Sequence, residues 1–168
     1  LRDWGKDKPE GSPKSACVAG GGGETLMHPG IMDFLERMYQ NGLESGLITN
    51  GSLLNDKKID IIARVCRWVG FSMDAATPQT FNAIKGIKND SLFNKICEDI
   101  QKLTTKIDEK GYINDVAYKF LLCPENAGEI YDAVKLAKSL GVRDFHLRPV
   151  GYYNISKTRG KDLVYTPE

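Results

Sequence analysis

The sequence predicts an α/β fold built on a parallel sheet. Three observations carry this reading. Short apolar runs recur roughly every 25–45 residues, segments with apolar residues at helical spacing lie between them, and every run exits into glycine or polar residues. Such alternation implies right-handed βαβ crossovers between parallel strands. The pattern is equally compatible with an open doubly wound sheet and with part of a barrel. No internal sequence duplication accompanies the repeat.

Residues 1–14 are polar and rich in Lys, Gly and Pro, and read as a loop or frayed segment. Ser15 to Ala19 form a first strand closed by Gly20 to Gly23. Ile31, Phe34, Leu35 and Met38 fall at helical spacing between Pro29 and Gly42. Leu47-Ile48 close a second strand at Thr49-Asn50-Gly51. Asn55 or Asp56 can cap the next helix, whose apolar face is Ile59, Ile62, Ala63 and Cys66. Trp68 to Met73 form a third strand. Thr77-Pro78 then open a short helix with Phe81 and Ile84 on its buried side. Ser91 caps a longer helix carrying Phe93, Ile96, Cys97, Ile100, Leu103 and Ile107, which Gly111 ends. Val116 to Leu122 form a fourth strand. Ile130, Val134 and Ala137 mark a helix stopped by Gly141, and Phe145-His146-Leu147 form a fifth strand. Residues 15–150 therefore make one domain, and residues 151–168 a polar extension without period, in which Tyr152-Tyr153 read as packing residues.

The 168 residues are 41% hydrophobic and 27% charged, as in ordinary globular proteins. With 23 basic and 22 acidic side chains, composition gives no reason to expect nucleic acid or an anionic membrane surface. No apolar run approaches the ~20 residues of a membrane span, and Leu1-Arg2-Asp3-Trp4 lacks the apolar core of a signal peptide. Cys17, Cys66, Cys97 and Cys123 are scattered and form neither CxxC nor CxxxC. A disulfide framework and a metal site are not expected from them, and a reduced, cytoplasmic setting is.

Ligands of parallel α/β folds sit at the carboxyl ends of strands, so the strand exits form the candidate rim. They are Gly20 to Glu24, Thr49-Asn50-Gly51, Ser72-Met73-Asp74, Cys123 to Asn126, and Arg148-Pro149. The glycine run lets backbone approach a ligand closely. It is no Walker loop, since no Gly-Lys-Ser/Thr follows, and Glu24 comes too soon for a dinucleotide fingerprint. Glycine carbonyls and a carboxylate suit an ammonium group, because both accept hydrogen bonds. Read alone, the run is a flexible turn and Thr49-Asn50-Gly51 is another. Ser72 and Asp74 alternate along a strand end, which places both on one face where they suit sugar hydroxyls; the local alternative is a strand cap and a turn bond. His28 and His146 read as structural, and Cys123 as a packed thiol.

In sequence order, these motifs resemble a known family. Val18 to Pro29, with Gly20-Gly21-Gly22-Gly23-Glu24, resembles the "GGE" segment of radical S-adenosylmethionine (SAM) enzymes. Leu47 to Gly51 resembles their "TNG" strand end. Phe71 to Thr77, followed by Phe81 and Ile84-Lys85-Gly86, resembles "SLDG-x-T…Y-x-x-I-R-G". Pro124-Glu125-Asn126 with Glu129-Ile130 resembles "P-x-N-x-x-E-I". The match runs from about Ala16 to Pro149.

The resemblance implies a partial parallel (β/α) barrel of about five strands and a SAM-binding core. Gly22, Gly23 and Glu24 would hold the methionine amine. Thr49 and Asn50 would line the floor, Ser72 and Asp74 would meet the ribose, and Asn126 and Arg148 would lie near the adenine or carboxylate. The full-length enzyme would reduce SAM through a [4Fe–4S] cluster to a 5′-deoxyadenosyl radical, with an electron donor and an unidentified substrate as partners. Three departures stand out. The CxxxCxxC cluster loop is absent from the chain and is expected before Leu1, so this chain alone is expected to be inactive. Thr25 replaces the usual Pro, and Lys85 stands where Arg is common, which removes a bidentate fork. The alternative is a non-catalytic nucleotide-binding α/β module without the cluster.

Overall fold

The computed structural model describes residue 5 and residues 7–20 and 23–150. Five strands, β1 (Ser15–Val18), β2 (Glu44–Thr49), β3 (Cys66–Ser72), β4 (Asp115–Leu122) and β5 (Asp144–Pro149), make one sheet in the order of the chain. Every neighbouring pair is parallel. The helices α1 (Ile31–Gln40), α2 (Asp56–Val65), α3 (Pro78–Lys85), α4 (Asp90–Lys110) and α5 (Ile130–Ser139) fill the connections, with α3 and α4 both between β3 and β4.

Strand order decides what periodicity left open. A doubly wound sheet reverses direction at a switch point, which sends helices to both faces. Here the order never reverses, so right-handed crossovers place every helix on the same face. Burial agrees: Leu47, Val69, Phe71, Val116, Tyr118 and Phe120 point into the helix layer and are buried, together with Leu35, Met38, Ile59, Ile62, Ile96, Ile100 and Leu103 from the helices. The opposite face is the inner side of a partial barrel and, among the described residues, carries no helix.

Local signals explain the helix ends. Asn55 accepts from the Lys58 amide and Thr77 from the Thr80 amide, with Pro78 at the first position of α3. Gly111, at φ +62°, ends α4. The cap of α4 is Asn89, which accepts from the Ser91 amide, so the helix begins one residue before Ser91. In α5 the buried residues are Ala133 and Ala137, while Val134 is exposed; a 3-10 turn at Ala127–Glu129 sets the phase of that helix. Residues 7–14 form a loop that Lys14 ties down through the Gly5 and Lys8 carbonyls. The sequence reading of residues 1–4 and 151–168, including Tyr152-Tyr153, lies outside the described residues.

Candidate functional site

All five strand exits lie at one end of the sheet, as parallel pairing requires. At the β1 exit Gly20 and Gly23 come so close that a Cβ on Gly20 would stand 2.0 Å from the Gly23 carbonyl oxygen. Gly22 lies outside the described residues. Glu24 caps a 3-10 turn over Thr25–Met27, and its Oε1 accepts from the Leu26 amide at 2.9 Å and the Thr49 hydroxyl at 2.5 Å. Its Oε2 accepts from the Asn50 amide at 2.7 Å. A carboxylate offers about four acceptor positions, so the three donors tie β1 to β2 and leave one position open. Thr25, in place of a proline, donates its hydroxyl to the Ile48 carbonyl at 2.8 Å and reinforces the same junction.

At the β2 exit, Asn50 Oδ1 accepts from the Ser52 amide and hydroxyl. Its Nδ2 has no partner among the described residues. Gly51, at φ +78°, follows; a Cβ there would meet Ile96 Cγ2 at 2.8 Å, so both conformation and space favour glycine.

The strand β3 ends at Ser72, and the alternation expected to carry Ser72 and Asp74 to one face stops there. The Met73 and Asp74 amides both donate to the Lys119 carbonyl, and Asp74 turns into the left-handed region at φ +59°. This conformation is uncommon for any residue but glycine. Asp74 is held in it from four sides: by its amide bond to Lys119, by the Leu121 amide on Oδ1 at 2.7 Å, by the Lys85 ammonium on Oδ2, and by Asn126 Nδ2 on its carbonyl at 2.8 Å. Ser72 is half-buried, with a hydroxyl that has no partner among the described residues.

Asn126 is fully buried and spends its whole amide on backbone: Nδ2 donates also to the Leu121 carbonyl, and Oδ1 accepts from the Cys123 amide. Glu129 was part of a recognised motif but was not expected at the rim. It accepts from the Ala76 amide at 2.7 Å and from the Thr77 and Thr80 hydroxyls at 2.8 and 2.6 Å. Burial works to raise its carboxyl, but the Thr80 hydroxyl, the Ala76 amide and the Thr77 hydroxyl outweigh it and hold the group below the ordinary value. The presence of two threonines at the start of α3 was the available signal. Burial, with Glu125 adding to it, pushes the Cys123 thiol up. Arg148, near the end of β5, is exposed and forms no hydrogen bond or ion pair with the other candidates.

The structure thus brings together Glu24, Thr49 and Asn50, and separately Asp74 and Asn126. Thr49 pairs with Phe71 in register, so Asn50 and Ser72 follow at one level on neighbouring exits. No group of three His, Cys, Asp or Glu among the described residues could hold a metal ion. Cys66 and Cys97 are buried, and burial pushes both thiols up to about 11.

Sequential parallel strands, a helix layer on one face and a polar rim of strand exits define a partial (β/α) barrel. No family model matches the chain. It is 24% identical over 146 residues to the antilisterial bacteriocin subtilosin biosynthesis protein AlbA of Bacillus subtilis, covering 86% of this chain and 30% of that protein. It is 29% identical over 137 residues to GTP 3',8-cyclase of Desulforamulus reducens, covering 79% and 40%. Its fold superposes on Streptococcus suis SuiB bound to S-adenosylmethionine with a TM-score of 0.63, at 15% identity, over 83% of this chain and 30% of that one. With its four motifs in order at the strand exits, the chain resembles the radical SAM superfamily, to which these relatives belong. It spans between 30% and 42% of the length of the curated relatives it matches.

Proposed function

We propose that the rim binds SAM and that the chain is the SAM-binding core of a radical SAM enzyme. The observation that carries this is the pair of unpartnered polar groups, Asn50 Nδ2 and the Ser72 hydroxyl, level with each other beside the Glu24 clamp. The open acceptor position on Glu24 Oε2, with the Gly22–Gly23 backbone, suits the methionine ammonium. Ser72 suits the ribose hydroxyls. Thr49, Asp74 and Asn126 act by holding the exits in place, and Arg148, exposed and tied to none of them, has no part in the SAM assignment. When bound, SAM supplies the 5′-deoxyadenosyl group, and the cofactor rather than the fold carries that chemistry.

A [4Fe–4S] cluster does not fit the residues described: the four cysteines stand on β1, β3, α4 and the β4 exit, two of them buried. Reductive cleavage of SAM, a substrate and an electron donor are proposed for the whole protein. The misfit is what keeps a second reading, a nucleotide-binding module without a cluster. Among the described residues no helix is long and apolar enough to cross a membrane, and four free cysteines suit a cytoplasmic setting.

Isothermal titration with SAM tests the reading. Without a cluster iron to anchor the amine and carboxylate, the dissociation constant is expected above about 1 μM. Ser72→Ala and Glu24→Ala are each expected to weaken binding, the latter by about tenfold or more, as loss of a charge-assisted bond implies. Equal affinity in the three proteins overturns the assignment.

A further inference from the structure

The inner face of the sheet carries a feature that the rim does not use. Trp68 leans along β3 over Gly70: a Cβ on Gly70 would stand 2.4 Å from Trp68 Cη2 and 2.8 Å from Lys119 Cδ. The missing side chain is what lets the indole lie there. The Trp68 and His146 rings are 5.6 Å apart, 19° from parallel, across the intervening β4. Lys119 pairs in register with both Ser72 and His146. Arg148, two residues beyond His146, shares that face by strand alternation.

Positive charge gathers on the upper part of this face; at its lower end Asp115, in register with Trp68, is ion-paired with Arg67 at 2.6 Å. The Lys119 ammonium and the Arg148 guanidinium have no hydrogen-bond or ion-pair partner among the described residues. A carboxylate on the same face, Asp144, lies one pair lower, 4.0 Å from His146 Nε2. Asp74, the nearest acid above, is turned into the Leu121 amide and Lys85. The upper inner face therefore combines a paired aromatic surface with two free cations. Aromatic faces stack planar rings, and unpaired Lys and Arg accept anions.

We propose that this inner face is the substrate subsite, and that it takes a small anion bearing a planar ring, the ring against Trp68 and His146 and a carboxylate or phosphate at Lys119 and Arg148. The subsite rests on the reading of the rim as a SAM site, since it lies on the concave side directly below those exits.

Guanosine monophosphate and nicotinate, neither of which emits in the tryptophan range, probe the phosphate and carboxylate forms. Guanosine and ribose 5-phosphate lack the charge and the ring respectively. The chain has two tryptophans, Trp4 and Trp68, so in a Trp4→Phe background the fluorescence reports Trp68 alone. At least one ring-bearing anion is expected to quench it saturably, and which one does so names the anion. The corresponding probe lacking the charge or the ring is expected to bind about tenfold weaker or worse. Lys119→Ala should cost about tenfold, as loss of a bond to a charged group implies, and Lys119→Arg should largely restore it. Titration of SAM in the presence of saturating probe separates the two readings. Additive binding supports both. Mutual exclusion assigns Lys119 and Arg148 to the SAM cleft and overturns the subsite while leaving the rim. Probe binding without any SAM binding overturns the rim and removes the subsite's role as a substrate site. No quenching by either anion, or quenching indifferent to Lys119→Ala, overturns the inference directly.

Discussion

Asn126 Nδ2 donates to the Asp74 carbonyl at 2.8 Å, joining the loop after β4 to the loop after β3. The same amide bonds the Leu121 carbonyl and the Cys123 amide, so one buried side chain satisfies three backbone groups of two strand exits. It also fixes the residue whose left-handed backbone turns the β3 exit away from the sheet. Glu24 does the equivalent for β1 and β2. The rim is thus built from side-chain ties between neighbours, and its motif residues are first of all its joints.

Asn126→Ala leaves three buried polar groups without their partner, each loss costing about 1–3 kcal/mol. Urea unfolding is expected to show a destabilisation of about 3 kcal/mol, tempered by water entering the space. Asn126→Asp should also destabilise, because a carboxylate cannot donate to two carbonyls. A near-neutral Asp variant would show that volume, not donation, holds the exits together.

Glu129 has a folded-state carboxyl held below its ordinary value. Its contribution to stability is therefore present above the unfolded carboxyl value, about 4.3, and is lost as pH falls through the lower folded value. Glu129→Gln should be less stable than the parent at neutral pH, and the difference should shrink in acid. A difference that is constant with pH would show that the glutamate acts through packing alone.

Gly70→Ala places a methyl where the Trp68 ring lies. Overpacking of this kind costs about 1–3 kcal/mol. The ring is expected to swing off the sheet, with a shifted Trp68 emission and a changed near-ultraviolet circular dichroism spectrum. Unchanged spectra would mean that the indole does not rest on Gly70.

The sheet and its direction were legible because strands buried on one face under helices read as short apolar runs, and because glycine and polar residues punctuate them. The Thr77-Pro78 and Asn55 caps, the Gly111 stop and the placement of Glu24, Asn50 and Ser72 at strand exits were all readable from local chemistry, which needs no distant partner. Ser91 was taken for a cap because Asn89, two residues earlier, offers the same kind of side-chain acceptor.

What local sequence could not decide depends on partners far along the chain. Asp74 reads as a strand residue until Asn126 and Leu121, about fifty positions away, pull it into a left-handed turn. Glu129 becomes part of the rim only because α3 begins beside it. Trp68 and His146, 78 residues apart in sequence, meet across β4 because Gly70, lacking a side chain, lets the indole lie along β3. The amino-acid pattern by itself determined the elements, their parallel direction and the end of the sheet at which the polar strand exits gather, since these follow from periodicity and chain direction, whereas the strand order came from the structure. Only the tertiary structure decided that the helices share one face and which motif side chains are spent on holding the rim, because hydrogen-bond partners and free cations are properties of packing between segments rather than of any segment alone.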